Sequence, residues 1–269
     1  MHKKPKEYID EYLEYYSRVK GIDIDHARNI IDNLRRYYNF DFYYRQGIST
    51  LLELEEKWYK SLEAGSPDYS VYADKYYFTD VLVCWLMYSR KYLNSLTKSD
   101  KVNGVSVATY FNNVNCIVDL GCGCGYSTAR LKILFPDADV YGTNLDKTIH
   151  YKVLQRIAED NAFNVEPDLE YLAKQGNIDL AVAFEYFEHF ERPIEHLKNV
   201  LASCRPRYFV IANSFNTYSL GHFHVYKNDN DLIDESKISR AFNKSLRECG
   251  YEQLKTTIFN NKPTVWERV

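Results

Sequence analysis

Hydrophobic and polar positions fall into two textures along the chain. Up to about residue 105 the apolar positions recur at helical spacing. Ile9, Tyr12, Leu13 and Tyr16 follow i, i+3, i+4, i+7, and Ala27, Ile30, Ile31, Leu34 and Tyr38 repeat the pattern after Asp23 or Asp25 as caps. Thr50 and Glu53 form a capping-box pattern ahead of a third stripe, Leu51, Leu54, Trp58 and Leu62. Glu55 and Glu56 lie on its polar side and Gly65 is its stop signal. A fourth helix is expected over 79–96 from Val81, Leu82, Trp85, Leu86 and Leu93.

From Asn115 onward short apolar runs alternate with helical patterns, which favours a parallel sheet with helices on its faces. Strands are expected near 115–120, 138–143, 163–166, 179–185 and 207–213, with helices near 126–135, 147–159, 168–174, 193–203 and 235–249. Ile149, Val153, Leu154 and Ile157, and later Ile238, Ala241, Phe242 and Leu246, carry two of those helices. Residues 252–258 and 263–268 read as two strands joined by a turn containing Asn260 and Asn261, so a β-hairpin closes the pattern.

The junction of the first strand and its helix carries the strongest chemical signal. DLGCGCG, Asp119 to Gly125, follows Cys116, Ile117 and Val118 and leads into helix-compatible residues from Tyr126. Glycines there let the backbone approach a ligand, and the following helix presents unpaired N–H groups, so a nucleotide-like ligand is expected. Gly121, Gly123 and Gly125 alternate, whereas a dinucleotide fingerprint needs GxGxxG, and position 126 is Tyr. A nicotinamide or flavin dehydrogenase is thereby disfavoured.

The pattern DxGxGxG resembles the binding loop of class I S-adenosylmethionine-dependent methyltransferases. That resemblance implies a Rossmann-like, doubly wound α/β fold of seven strands, whose terminal hairpin inserts its last strand antiparallel. It covers residues 106–269 as the cofactor-binding domain and leaves 1–105 as an all-helical extension, expected to act as a lid or substrate-binding part. It also implies S-adenosylmethionine as the cofactor. Gly121, Cys122, Gly123 and Gly125 would pass under its methionine part, Asp119 would hold the loop or the cofactor's amino group, and Glu185 after the fourth strand is counted with the cofactor-binding residues. At the end of the second strand the family places an acidic residue on the ribose; here that position is Asn144, with Asp146 two residues on as a substitute or as a helix cap. Glu166 and Asp168 fall where the family contacts adenine.

A second match follows the fourth strand. AFEYFEHFERP resembles the family segment that ends in Glu-His beside the transferred methyl, which makes Glu188 and His189 the candidate orienting or base groups. GHFHVYK after the fifth strand adds His222 as a candidate catalytic group. Glu185, Glu188 and His189 with His222 or His224 also resemble the metal site of enzymes that 2′-O-methylate RNA 3′ ends, where the set would hold Mg²⁺ or Mn²⁺. Many small-molecule methyltransferases carry the same Glu-His and a later histidine, so the leading expectation has no metal and a small-molecule acceptor. The RNA enzyme and a non-catalytic interaction module are the alternatives, the latter motivated by Asn144 and the tyrosine-rich extension. His150 and His196 are expected to be surface residues on helices. No DPPY or NPPY segment and no Pro-Cys pair is present, which argues against amino-methylating DNA enzymes and cytosine-C5 enzymes.

Composition changes the picture little. The 269 residues are 45% hydrophobic and 26% charged, with 25 tyrosines as the unusual feature. A net charge of −3 gives no field toward phosphate backbones or anionic lipids, so nucleic acid is possible but unsupported as a partner. Six cysteines form no CxxC pair, MHKKPKEY lacks an apolar core, and the longest apolar run, 81–87, is too short to cross a bilayer. A reduced cytoplasmic protein without a membrane span is expected, and nothing in the pattern speaks to oligomeric state.

Overall fold

The computed structural model describes residues 47–74, 77, 101–175, 177–228, 231–257 and 263–269, with the isolated residues 14, 23–25 and 28. The helices expected over 9–16, 27–38 and 79–96, the turn at Asn260–Asn261, and Cys84 lie outside these residues, apart from isolated positions.

The alternating half folds as its pattern dictates. A seven-stranded sheet contains β3 (Cys116–Leu120), β4 (Asp139–Gly142), β5 (Asn164–Val165), β6 (Leu180–Phe184), β7 (Tyr208–Ala212), β10 (Tyr251–Gln253) and β11 (Thr264–Arg268), in the order β10-β11-β7-β6-β3-β4-β5. β6 and β7 are buried at every position, so they read as continuous apolar runs, as strands covered on both faces do. β3 through β7 pair parallel, while β11 lies antiparallel between β7 and β10. The expected Rossmann-like sheet with its inserted final strand is therefore present. β3 neighbours both β4 and β6, and a ligand crevice forms above the strand ends where successive connections leave in opposite directions.

Helices α3 (Tyr126–Leu134), α4 (Ile149–Asn161), α5 (Leu169–Gln175), α6 (Pro193–Cys204) and α7 (Glu235–Glu248) connect these strands. Each starts on a local signal. Gly125 caps α3 in the left-handed conformation, the Thr148 hydroxyl caps α4, Pro193 opens α6, and the Asp234 carboxylate accepts from Ser236 and Lys237 amides at the head of α7. Asp146, expected as a possible cap, is exposed and lies before that turn; the hydroxyl two residues on takes the role. Ile238, Phe242 and Leu246 bury one stripe of α7 against the sheet.

Three features depart from the pattern reading. The expected helical texture up to residue 105 ends sooner, because β1 (Lys101–Val102) and β2 (Val105–Ser106) form a hairpin around Asn103 and Gly104. Both turn residues have positive φ, 50° and 82°, the geometry an Asn-Gly pair favours. A short helix α2 (Val107–Tyr110) follows it. The strand expected over 252–258 stops at Gln253, and the chain swings to pair with that hairpin through Val102 and Thr256. The third departure is another hairpin, β8 (Val225–Asn228) with β9 (Asp231–Asp234).

Helix α1 (Gly47–Glu63) confirms the third stripe, with Trp58 and Leu54 buried, and Gly65 ends the segment at φ +69°. It starts at Gly47, so Thr50 lies inside the helix and is not its cap. A 3-10 turn over Tyr69–Ala73 follows, capped by Asp68, whose carboxylate Lys57 and Ser70 hold near pKa 2.

Gly125 tests how tightly the glycine turn is packed. Its φ is +86°, and an added Cβ would stand 2.5 Å from Leu154 Cδ1 and 2.8 Å from Phe163 Cζ. Combining left-handed strain with overpacking, Gly125→Ala is expected to destabilise the fold by about 2–4 kcal/mol in denaturant titration. A loss below about 0.5 kcal/mol would contradict this packing.

Candidate active site

The crevice above the strand ends opens into a cavity of about 770 Å³. Its floor is the glycine loop, and Asp119 holds that loop in shape. The Asp119 carboxylate is fully buried; its Oδ2 accepts from the Ser127 and Thr128 hydroxyls at the start of α3, while Oδ1 has no donor. Burial outweighs those two bonds and raises its pKa to about 7. Thr143 laces the loop to β4: its hydroxyl accepts from Gly121 N at 3.2 Å, its carbonyl from Cys122 N at 2.9 Å, and its amide donates to Asp119 O at 2.9 Å.

Gly121 and Gly123 line the cavity with positive φ of 62° and 58°. Gly125 does not line it, since its bare α-carbon faces Leu154 and Phe163. The Cys122 side chain is also turned away, packed against Gly142 and Thr128, where a Cβ on Gly142 would meet its sulfur at 2.8 Å. Burial raises the Cys122 and Cys124 thiols, so neither is a ready thiolate. Asn144 is at the cavity wall. Its Nδ2 donates to Gly123 O and its Oδ1 accepts from Leu145 N, so the amide braces the loop from the second strand. Asp146 is exposed outside the cavity. Glu166 and Asp168 cap the start of α5, accepting from the Asp168 and Tyr171 amides, while Pro167 between them reaches the cavity.

The opposite wall collects the other sequence candidates unequally. Glu185, with φ +49°, lines the cavity and accepts from the Ser214 hydroxyl at 2.9 Å. Glu188 is fully buried behind that wall, where its Oε1 accepts from Ser214 N at 2.8 Å. Burial and the neighbouring Glu185 carboxylate raise its pKa well above the ordinary range. His189 faces the cavity between the Gly221 and Glu185 carbonyls; burial still dominates, holding its pKa near 4 and the ring neutral. His222 lines the same wall, with its ring edge-on to His189 at 4.7 Å. Because a carbonyl only accepts, His222 Nδ1 carries the proton donated to Thr217 O at 2.9 Å, leaving the lone pair on Nε2.

His224 is absent from this assembly. It stacks on Tyr218 at 3.9 Å and packs beside Tyr59 at 4.8 Å outside the cavity. Among the described residues no group of three or more His, Cys, Asp and Glu side chains is arranged to hold a metal ion.

Two cavity residues were misread from sequence. His150 and His196, expected on the surface, both line the cavity. His150 is buried beside Tyr77, and burial lowers its pKa to about 3. His196 pairs its Nε2 with the Tyr186 hydroxyl at 2.9 Å and stacks on Phe190 at 3.7 Å, with its pKa lowered to about 4 by burial. Helical position alone does not reveal which face meets a crevice. Tyr186 in turn covers Gly121, where an added Cβ would stand 2.3 Å from its ring. From the N-terminal segment Tyr69, Tyr72 and Tyr77 complete the wall.

This sheet order, with a glycine loop at the crevice, defines a Rossmann-like methyltransferase fold. Residues 118–207 match the family described as "Methyltransferase domain". The chain is 24% identical over 115 residues to malonyl-[acyl-carrier protein] O-methyltransferase of Priestia megaterium, covering 43% of this chain and 42% of that protein. It thus spans about two fifths of that curated relative's length. The structure of an O-methyltransferase family protein from Burkholderia thailandensis superposes with a TM-score of 0.53 at 11% identity, over 82% of this chain and 69% of that one. Residues 118–207 thus carry the match to a methyltransferase domain on a Rossmann-like sheet, and these likenesses support the class I S-adenosylmethionine-dependent methyltransferase superfamily. No described helix is long and apolar enough to cross a membrane.

Buried neutral histidines predict a pH signature. Unfolded His150 protonates below 6.5 while folded His150 resists down to about 3, so its contribution is intact above 6.5 and lost as pH falls through that window. Asp119 runs oppositely: its contribution is full below 3.8 and is lost as pH rises through about 7. The difference in unfolding free energy between wild type and His150→Phe should therefore change by up to ~1.4 kcal/mol per pH unit below pH 6 and stay flat above 7. Denaturant titrations across that range check it; a pH-independent difference would show that His150 is not buried neutral.

Proposed function

We propose that this chain transfers a methyl group from S-adenosylmethionine to an oxygen or nitrogen of a small molecule. The observation that carries the reading is that a single cavity joins the glycine loop at one end to the His189–His222 pair at the other. The residues fit the cofactor. Gly121 and Gly123 offer backbone without side chains, and Asn144 keeps one Oδ1 lone pair for a ribose hydroxyl. Leu145 and Pro167 offer apolar surface for the adenine. When bound, the cofactor supplies an electrophilic methyl on a sulfonium.

The chain's own task is then to orient the acceptor and take its proton. His222 is taken as the base of the pair, since its Nδ1 donates to one carbonyl and its Nε2 carries the lone pair, whereas the His189 ring meets two carbonyls. His189, between two carbonyls, orients. Glu188 braces the Ser214 segment from behind, and Glu185 stands at the wall. A cavity of about 770 Å³ suits a cofactor with a modest acceptor. The Priestia relative is named for transfer to oxygen, which supports an oxygen acceptor first.

Calorimetry should show saturable S-adenosylmethionine binding, abolished by Gly123→Asp, which adds a charged side chain at φ +58° in the loop. Unchanged affinity in a folded Gly123→Asp protein would sink the site. In a screen of small hydroxyl and amine acceptors read as S-adenosylhomocysteine release, His222→Ala should lower turnover ~10²–10⁴-fold with cofactor affinity retained. Full turnover in that variant would remove His222 as the base.

A further inference from the structure

We infer that Trp58 and Tyr72, from the segment N-terminal to the matched domain, are positioning residues that hold the His222 ring in its productive tautomer and direction. The inference rests on the reading of His222 as the base.

The hold is on main-chain carbonyls. The Trp58 indole N–H donates to the carbonyl of His222 itself at 2.8 Å, across 164 residues of sequence. The Tyr72 hydroxyl donates to the carbonyl of Gly221 at 2.8 Å and lies 3.3 Å from the His189 carbonyl. His189 Nδ1 approaches the same Gly221 carbonyl at 3.1 Å. The residue on the other side, Phe223, packs edge-on against Trp58 at 5.3 Å. Gly221, His222 and Phe223 are therefore each gripped from the N-terminal segment.

Gly221 shows that the convergence is built into the sequence. Its φ is +84°, and a Cβ there would meet Tyr72 Cε1 at 3.0 Å, His189 Nδ1 at 3.1 Å and the Tyr72 hydroxyl at 3.2 Å. Only a residue without a side chain lets the tyrosine and the histidine reach one carbonyl together. The consequence falls on His222. Its Nδ1–H bond to Thr217 O closes the loop over 217–222, and Trp58 and Tyr72, together with the His222 N–H to Ser219 O bond, place the backbone from which the ring reaches it. Trp58 is fully buried and has a single donor, so its hydrogen bond is also one the fold must satisfy. A purely structural role is therefore the competing explanation.

The two roles separate in ¹⁵N NMR of the histidine rings. Trp58→Phe keeps an aromatic ring and removes the donor; Tyr72→Phe keeps the ring and removes the hydroxyl. Leu54→Ala, in the same helix and buried at 8% exposure, is the stability control. In wild type the His222 ring should show one tautomer, protonated at Nδ1. Both Phe variants should show mixed tautomers, and Leu54→Ala should melt earlier with the wild-type ring signature. Where an acceptor is turned over, the Phe variants should lose about 10–100-fold in kcat with cofactor affinity unchanged. A wild-type His222 signature in both Phe variants would overturn the inference and leave Trp58 and Tyr72 as packing. Absence of cofactor binding in wild type would instead defeat the methyltransferase reading, and the ring spectra would still report on the hold.

Discussion

The site depends on one buried carboxyl. Asp119 ends up without solvent, gripping the first two hydroxyls of α3 through Ser127 and Thr128. That contact fixes where the helix starts relative to β3, and the intervening glycines must then close the gap with left-handed backbone. Because Asp119 is committed to the helix, the loop's inner face is free to line the crevice with peptide groups. Thr143 adds the second constraint, tying the loop to the end of β4 by three hydrogen bonds, so that Asn144 arrives beside Gly123. A buried carboxyl of this kind is costly unless it is bonded, and here it is bonded on one oxygen only. The raised pKa is the expression of that cost.

The alternating half was legible in sequence because its signals are local and repeated. Apart from the unexpected β8–β9 hairpin, strand and helix limits from Cys116 to Glu248 fall within two residues of their expected places, and the closing antiparallel insertion follows. The elements that were missed are short and held by long-range pairing. The hairpin at Asn103–Gly104 is two residues per strand, too brief for periodicity to register, although the Asn-Gly pair itself was a readable turn signal. β10 ends early because the chain finds a different partner in Val102, a choice that only the folded sheet edge determines.

Candidate site residues were legible to the extent that backbone position decides them. Gly121, Gly123, Asn144, Glu185, His189 and His222 do meet at one cavity, since each follows a strand end on the crevice side. Side-chain direction was not legible. Cys122 and Glu188 sit beside those residues in sequence and turn into the core, where packing against Gly142 and bonding to Ser214 capture them. His150 and His196 were assigned to the surface and belong to the cavity wall. The same limitation hid Trp58 and Tyr72, whose partners lie more than a hundred residues away.

A methyltransferase fold thus acquires a histidine end that is completed from outside the matched domain. The structure of the chain with S-adenosylhomocysteine tests this account most directly. The methionine part should lie across Gly121 and Gly123, the ribose at Asn144, and the sulfur should point toward His222 with the Trp58 and Tyr72 bonds intact. A ligand bound elsewhere, or a sulfur directed away from the His189–His222 wall, would contradict it.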